Sequence, residues 1–215
     1  MTIESKPQES EGHAAFSALK LQPALLENLA SLGYRVMTPI QAQSLPHILS
    51  AKDVIGQGKT GSGKTAAFGL GLLQNLDVKR FHVQSLVLCP TRELADQVAK
   101  ELRKLARAIH NIKVLTLCGG IPYGPQVVSL EHGAHIVVGT PGRIEEHLRK
   151  KSLQLERLTT LVLDEADRML DMGFQETLDA IIEHVPPQRQ TLLFSATYPE
   201  QIKSIARRIM KIRWW

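Results

Sequence analysis

A run of glycines, lysines and threonines, GKTGSGKT from Gly58 to Thr65, stands between two apolar stretches. Its order matches GxxxxGK[ST], in which the glycines let backbone N–H groups turn inward around phosphate oxygens. The run follows the apolar pair Val54-Ile55 and opens a helical pattern, and this strand-to-helix setting is the one that the motif requires. Lys64 is expected to reach the β- and γ-phosphates, and the Thr65 hydroxyl to bind Mg²⁺. These residues therefore predict chemistry on a phosphate.

Three acidic residues, Asp164, Glu165 and Asp167, follow the apolar run 160–163. A phosphate loop needs a carboxylate near its Mg²⁺, and that carboxylate is expected at the end of an apolar strand. Asp164 is placed to hold the ion through water, and Glu165 to polarise an attacking water. Any one of these acids could instead complement the dipole of a helix N-terminus, and Asp167 alone fits that explanation. Three of them beside a phosphate loop favour phosphoryl transfer, which depends on charge neutralisation and positioning.

Strands and helices must bring these groups together, and the hydrophobic pattern predicts both. Short apolar runs rich in Val, Ile and Leu are typical of strands covered on both faces, and helical stretches lie between them. The predicted strands are 53–57, 85–90, 113–118, 135–139, 160–164 and 191–195; the predicted helices are 64–76, 93–109, 123–131, 143–150 and 174–184, with a further helix opening at Pro199-Glu200. This alternation predicts an α/β fold, a mostly parallel, doubly wound sheet with helices on both faces. Ligands of such sheets bind at the carboxyl ends of the strands, where both motifs fall.

Composition and charge narrow the class of protein. The chain has 215 residues, 43% hydrophobic and 22% charged, which suits one globular domain with a sizeable core. Its net charge of +5 fits a polyanionic partner, and equally a solvated basic surface. Cys89 and Cys118 stand in apolar runs without a CxxC neighbour, which favours buried, reduced thiols over a disulfide or a metal site. Neither a signal-peptide pattern nor an apolar run of membrane-spanning length is present, so the chain is expected in the cytoplasm without a membrane partner.

The tetrad DEAD at 164–167, downstream of GSGKT, resembles the signature of the DEAD-box ATP-dependent RNA helicases. Five other stretches resemble motifs of that family's N-terminal RecA-like domain, in the same order along the chain. They are Phe16 with GYRVMTPIQ (33–41), PTREL (90–94), the Gly119-Gly120 pair, TPGR (140–143) and SAT (195–197). The resemblance runs from about Phe16 to about Met210, nearly the whole chain. Sequence segments such as LTLCGG and DEADRMLDMGF are similar to those of the bacterial DbpA type, whose members act on 23S ribosomal RNA during large-subunit assembly.

The resemblance implies a role for each matching residue. The implied ATP-binding residues are Phe16, Tyr34, Gln41, Thr60, Gly61, Ser62, Gly63, Lys64 and Thr65; the implied Mg²⁺ ligands are Thr65 and Asp164, and the implied catalytic residues are Lys64, Asp164 and Glu165. The implied RNA-binding residues are Pro90, Thr91, Arg92, Gly119, Gly120, Thr140, Pro141, Gly142 and Arg143, and those implied to couple hydrolysis to unwinding are Asp167, Ser195, Ala196 and Thr197. In physical terms, the Gln41 amide can both donate to and accept from an adenine edge, and Phe16 offers a flat face for stacking. Taken alone, Phe16 is equally well explained as a core aromatic, whereas a surface ion pair is the better explanation for Arg92 or Arg143 alone.

The predicted domain organisation is a disordered tail at 1–13, a RecA-like ATP-binding domain at 14–210, and a truncated linker or the end of an expressed fragment at 211–215. The family continues into a second RecA-like domain with arginine fingers, which stabilise transition-state charge by roughly 10³–10⁵ in rate. Without that domain, the expectation is a monomer that binds ATP weakly, hydrolyses it very slowly and unwinds no RNA. Gly58 stands where the family usually has Ala, which predicts a looser phosphate cradle.

Two other functions remain open. The chain could be part of a different P-loop enzyme such as a DNA translocase, which would lack strict adenine specificity and stimulation by RNA. It could also be a non-catalytic product that binds RNA or a partner. In that case its RNA affinity would depend neither on ATP nor on Lys64.

Overall fold

The computed structural model describes residues 14–211, in which one parallel sheet lies between two layers of helices. The strands are β1 (Val54–Gln57), β2 (Ser85–Leu88), β3 (Val114–Leu117), β4 (Ile136–Gly139), β5 (Thr160–Leu163) and β6 (Gln190–Ser195). They pair in the order β1-β6-β5-β2-β4-β3, and every pair is parallel. All six predicted strands are confirmed, each to within two residues at either end. The predicted tail at 1–13 and residues 212–215 of the predicted linker lie outside the described residues.

The strands of this sheet are connected mainly by helices. The α-helices are α1 (Pro23–Ser31), α2 (Pro39–Leu49), α3 (Lys64–Asn75), α4 (Arg92–Leu105), α5 (Tyr123–Glu131), α6 (Pro141–Arg149), α7 (Ala166–Asp171), α8 (Gln175–Glu183) and α9 (Glu200–Ile209). The five predicted helices are confirmed as α3, α4, α5, α6 and α8, and α9 opens where it was expected. Three helices were not predicted: α1, α2, which contains Pro46, and α7, which is only six residues long. None of these helices is long and apolar enough to cross a bilayer.

Apolar side chains alternate between the two faces of the sheet. In β2, Val87 packs in the layer that contains Phe68 of α3, whereas Leu86 and Leu88 pack in the layer that contains Ile202 of α9. Every residue of β2, β4, β5 and β6 is buried. Full burial of one such side chain contributes about 1.5–3 kcal/mol, so two covered faces hold the strands in a stable frame. The predicted doubly wound architecture with helices on both faces is confirmed.

The two cysteines follow strands β2 and β3. Cys89 and Cys118 are free and buried, as predicted. Burial raises the pKa of the Cys89 thiol well above its ordinary value and that of Cys118 to about 11. Both thiols therefore stay protonated and unreactive at neutral pH.

The order of the strands divides the predicted site into two halves. β1 leads to the phosphate loop and β5 to Asp164, and β6 lies between them and ends at Ser195. The remaining strands, β2, β4 and β3, lead to PTREL, TPGR and the Gly119-Gly120 pair. Because the strands are parallel, all these carboxyl ends meet at one edge of the sheet. The predicted ATP residues thus occupy one half of this edge and the predicted RNA residues the other.

Candidate functional site

The phosphate-loop lysine contacts both acids that were predicted to accompany it. Lys64 Nζ lies 2.9 Å from Asp164 Oδ1 and 3.8 Å from Glu165 Oε1. The side chains of Lys64 and Asp164 are 4% and 0% exposed, so both charges are withdrawn from water. Burial raises the pKa of Asp164, and the ammonium of Lys64 opposes that rise. The structure therefore brings together the three residues that were predicted to be catalytic.

Several buried polar atoms around this ion pair have no partner at hydrogen-bond geometry among residues 14–211. They are Ser62 Oγ and Asp164 Oδ2, together with Lys64 Nζ and Asp164 Oδ1, which have only their ion pair with each other at 2.9 Å. A buried polar group without a hydrogen bond costs roughly 1–3 kcal/mol, which phosphate oxygens and a cation would relieve. No group of three or more His, Cys, Asp or Glu side chains in the described part of the chain could hold a metal ion. The buried Asp164 carboxylate, with an oxygen that has no hydrogen-bond partner, fits Mg²⁺ that would take its other ligands from water and phosphate oxygens, and Thr65 is the second residue of α3.

Glu165 has a backbone conformation that is rare for a residue with a side chain. Its φ of 53° and ψ of 52° lie in the left-handed region, which costs of order 1–3 kcal/mol. This conformation turns the chain from β5 directly into α7, so Asp164 and Glu165 both stay at the strand tip. The Glu165 carboxylate accepts a hydrogen bond from Thr60 Oγ1 at 2.9 Å, and Arg168 Nη1 lies 3.5 Å away. Such strain is typical of a position where function outweighs stability.

The Gln41 amide is hydrogen-bonded to two backbone groups. Its Nε2 donates to the Gly63 carbonyl at 3.0 Å, and its Oε1 accepts from the Thr38 N–H at 2.9 Å. Thr38 Oγ1 donates to the Ser62 carbonyl at 2.8 Å, so the start of α2 holds the phosphate loop through two side chains. Thr38 was not among the predicted site residues, although the order Thr-Pro-Ile-Gln is a readable capping box. Reading an adenine would use the remaining hydrogen and lone pair of the Gln41 amide, and this role stays a prediction.

Phe16 and Tyr34, the aromatic residues predicted to contact ATP, pack in one apolar layer. Phe16 is 2% exposed and meets Tyr34 edge to face, with ring centroids 6.3 Å apart. The Tyr34 hydroxyl hydrogen-bonds Glu101 of α4, and burial raises the pKa of Tyr34 to about 12. Stacking on a base needs an uncovered ring face. For Phe16 the structure therefore favours the alternative explanation, a core aromatic.

A groove of about 1030 Å³ lies along β1 and the outer side of the phosphate loop. Its lining includes Gly58 and Ile40 but neither Lys64 nor Asp164, so it borders the phosphate site without containing it. A Cβ on Gly58 would lie 2.6 Å from Ile40 Cδ1 and 2.8 Å from Ser62 Oγ. Ile40 thus fills the space that an alanine methyl would take. The looser phosphate cradle expected from the backbone freedom of Gly58 stays a prediction.

Hydrogen bonds join the DEAD and SAT stretches directly. Thr197 N and Oγ1 donate to Asp167 Oδ2 at 3.2 and 2.9 Å, and Asp167 N donates to Ser195 Oγ at 3.2 Å. The carbonyl of Ala196 accepts from Gln57 Nε2 at 3.3 Å, which ties the same stretch to β1. Burial raises the pKa of Asp167, but the hydrogen bonds from Thr197 and Ser195 outweigh it and lower that pKa overall. The predicted contacts are present, and their role in coupling remains a prediction.

Three glycines of the predicted RNA surface have open space where a side chain would stand. A Cβ on Gly119, Gly120 or Gly142 would meet no atom within 4 Å. Gly120 has a φ of 77°, which itself favours glycine, but Gly119 and Gly142 have no such requirement. Gly142 also lies in α6, where glycine costs roughly 0.5–1 kcal/mol relative to alanine. Packing does not explain these two glycines, and close approach of an RNA backbone to them stays a prediction.

The two arginines predicted to bind RNA differ in how much of the side chain is exposed to solvent. The Arg92 side chain is 51% exposed and lies 3.9 Å from Asp96, a weak surface pair that leaves it able to bind a phosphate. The Arg143 side chain is only 13% exposed, and its Nη1 donates to the Ile121 carbonyl at 2.7 Å. The contact of Arg143 braces the loop that holds the glycine pair, and a direct contact of Arg143 with RNA stays a prediction.

The remaining predicted RNA residues begin helices or join loops. Thr91 Oγ1 accepts a hydrogen bond from the third residue of α4 at 3.3 Å and so caps that helix. Thr140 Oγ1 accepts from the Gly119 N–H at 3.1 Å, which joins the TPGR stretch to the glycine pair. Pro90 and Pro141 are buried, and Pro141 opens α6. These four residues shape the surface, and direct contact with RNA stays a prediction for them.

A buried histidine behind this surface was not predicted, because a single histidine in a helical stretch gives no sequence signal. His147 of α6 is 0% exposed; its Nδ1 lies 2.6 Å from Ser152 Oγ and its Nε2 2.7 Å from Gln126 Oε1. Burial, followed by the charge of Arg143, lowers the pKa of His147 to about 4. Glu146 opposes this shift, and Lys150 adds to it.

Acid is expected to destabilise the fold through His147. The pKa of histidine is about 6.5 in an unfolded chain and about 4 in this position, so the unfolded state binds the proton first as the pH falls. The contribution of His147 to stability is complete above pH ~6.5 and is lost as the pH falls towards ~4. His147→Gln has no titrating group at this position. Between pH ~7 and ~5 its free energy of unfolding, measured by urea denaturation, is expected to fall less than that of the wild type. Equal losses in the two proteins would show that the buried ring is not held neutral.

The fold and the phosphate loop define a RecA-like nucleotide-binding protein of the P-loop class. A model of the DEAD/DEAH box helicase family matches residues 38–205. The chain is 62% identical over 198 residues to the ATP-dependent RNA helicase DbpA of Escherichia coli (strain K12), covering 92% of this chain and 43% of that protein. It is 49% identical over 195 residues to the DEAD-box ATP-dependent RNA helicase CshA of Bacillus cereus, covering 91% and 37%. A crystal structure of a DEAD box protein from the hyperthermophile Methanococcus jannaschii matches with a TM-score of 0.89 and 36% identity, over 93% of this chain and 55% of that one.

The chain belongs to the DEAD/DEAH box helicase family. The resemblance found in the motifs, including that to the DbpA type, is confirmed, and so is the RecA-like fold. The chain spans less than half the length of the curated relatives it matches, 43% and 37%. The chain is therefore matched to only part of a helicase of this family.

Proposed function

We propose that this chain is the ATP-binding half of an RNA helicase. It would couple the binding of ATP and Mg²⁺ to a grip on the RNA backbone and to local unwinding of a duplex. The buried Lys64–Asp164 pair, with unsatisfied polar atoms around it at the tip of the phosphate loop, carries this proposal. The similarity to ATP-dependent RNA helicases of bacteria supports it.

In the proposed reaction each residue has a separate task. Lys64 would contact the β- and γ-phosphates, and Asp164 with the Thr65 hydroxyl would hold the cation. Bound Mg²⁺ would neutralise the charge that develops on the phosphates. Glu165 polarises the attacking water, and its Thr60 hydrogen bond keeps the carboxylate at the strand tip. Because catalysis of this kind depends on charge stabilisation, the chain alone is expected to hydrolyse ATP slowly, without the arginine finger of a second domain.

On the RNA side, the proposal is a grip that does not depend on sequence. The exposed Arg92 and the open glycines at the ends of β3 and β4 suit phosphate and sugar contacts, which carry no base information. The Asp167–Thr197 hydrogen bonds would transmit the state of the ATP site to a neighbouring domain. Ribosomal RNA during large-subunit assembly is the proposed substrate, supported by the 62% identity to a DbpA-type relative.

Adenine specificity tests the nucleotide part of the proposal. Gln41→Ala is expected to remove the preference for ATP over GTP, which one or two hydrogen bonds to the base would set at about tenfold or more. The measurement is the ratio of the affinities for ATP and GTP. Loss of the Gln41–Gly63 hydrogen bond is expected to lower both affinities by the same factor, which leaves this ratio unchanged. Gln43→Ala, an exposed glutamine of the same helix, is the matched control. An unchanged preference in Gln41→Ala would show that this amide does not read the base.

A further inference from the structure

Four side chains behind the glycine pair form a hydrogen-bonded series, here named the loop brace: Tyr123, Ser152, His147 and Gln126. Gln126 belongs to α5 and His147 to α6, and both are buried. Buried polar groups destabilise a protein unless they are hydrogen-bonded, so their partners are informative. One of those partners, the Cys118 carbonyl, lies in the loop that leads from β3 to α5.

The direction of each hydrogen bond in the loop brace follows from Gln126. Its Nε2 donates to the Cys118 carbonyl at 3.0 Å, so its Oε1 accepts from its two other neighbours. These are Arg143 Nη1 at 3.1 Å and His147 Nε2 at 2.7 Å. Nε2 of His147 therefore carries the ring proton, and Nδ1 accepts from Ser152 Oγ at 2.6 Å.

The same direction continues to the start of α5. Because the Ser152 hydroxyl donates to His147, it accepts from the Tyr123 hydroxyl at 2.7 Å. The Tyr123 ring also stacks on the His147 ring, with centroids 4.4 Å apart. One neutral tautomer satisfies all four side chains. A protonated ring could still donate to Ser152 Oγ, whose own proton would then go to the His147 carbonyl 3.2 Å away, but it would place a charge beside Arg143. The lowered pKa of His147 agrees with the neutral form.

The loop brace and its neighbour Arg143 hold two carbonyls on either side of the glycine pair. Gln126 binds the carbonyl of Cys118, and Arg143 binds that of Ile121. The two glycines between them face open space and are tied through Thr140 to the TPGR stretch. The loop is thus held from inside the protein, and its outer surface stays free for a ligand.

We propose that Gln126 and His147 are positioning residues for RNA binding. Through the loop brace they keep the glycine pair in the shape that meets the RNA backbone, although neither residue touches RNA. This inference rests on the proposed function, because it gives the loop an RNA ligand. Loss of the loop brace weakens RNA binding and leaves ATP binding unchanged, since the ATP residues occupy the other half of the sheet edge.

The test measures binding of a fluorescein-labelled oligouridine and, separately, of ATP with Mg²⁺. His147→Leu removes the donor to Gln126 and is expected to lower RNA affinity about tenfold at unchanged ATP affinity. His147→Gln keeps an N–H that can reach Gln126, and it is expected to retain most of the RNA affinity. His132→Leu, an exposed histidine at the end of α5, is the matched control and is expected to bind like the wild type.

A second variant covers the case in which thermal unfolding shows that His147→Leu does not fold. Gln126→Glu keeps an acceptor for His147 and Arg143 but loses the donor to Cys118, so the same selective loss of RNA affinity is expected. Wild-type RNA affinity in a folded variant would overturn the inference and leave the proposed function standing. Absence of RNA binding by the wild-type chain would contradict the proposed function itself, and the inference with it.

Discussion

Lys64→Ala is expected to reduce the affinity of this chain for ATP by roughly 100-fold. A charge-assisted contact to a phosphate contributes about 1.5–3 kcal/mol, and the substitution removes it. It also leaves Asp164, 0% exposed, without the ammonium 2.9 Å away, so burial raises the pKa of Asp164 further. A carboxyl that takes up a proton no longer holds a cation well. Titration calorimetry with ATP in the presence of Mg²⁺ measures the combined loss.

Lys59→Ala is the matched control for this prediction. Lys59 is an exposed lysine of the same loop, and it lies outside the fixed positions of the motif. Its removal changes the surface charge alone, and the free energy of ATP binding is expected to change by less than ~1 kcal/mol. Similar losses in the two variants would mean that general charge, and not the buried ion pair, binds the nucleotide.

Glu165→Gln is expected to slow ATP hydrolysis by roughly 10²–10⁴-fold while ATP affinity stays close to that of the wild type. An amide has nearly the same shape and still accepts the Thr60 hydrogen bond, but it cannot polarise a water as a carboxylate does. Single-turnover hydrolysis, with a second helicase domain and RNA added, separates this step from binding. Asp171→Asn, an exposed acid of α7, serves as the control. Parallel losses of hydrolysis and affinity would assign Glu165 to nucleotide binding instead.

The sequence predicted the sheet well because parallel strands buried on both faces appear as continuous apolar runs. The same rule located Lys64 and Asp164, which are 100 positions apart, at the carboxyl ends of β1 and β5, two strands separated only by β6. Helix α7 was missed because it follows a left-handed Glu165, and no local pattern marks such a turn. Thr38 was also missed as a site residue, although its capping box could have been read from the sequence.

Roles that depend on burial could not be predicted from motifs. Arg143 lies in a stretch typical of RNA contacts, yet its Nη1 donates to the carbonyl of Ile121, 22 positions upstream in the loop before α5. The same packing buries His147 beside Gln126. Phe16 could have been a stacking ring or a core residue, and the layer formed with Tyr34 favours the second. For both Arg143 and Phe16, a contact distant in sequence favours one of the two interpretations.

The central claim is that this chain is the ATP-binding half of an RNA helicase. Its most direct test is the ATPase rate of the chain mixed with the part of the Escherichia coli relative that it does not match, with and without RNA. The account predicts a very slow rate for the chain alone and an increase of roughly 10³-fold or more with both additions, lost in Lys64→Ala and not produced by DNA. A mixture that stays inactive on every RNA tested, ribosomal RNA included, would contradict it.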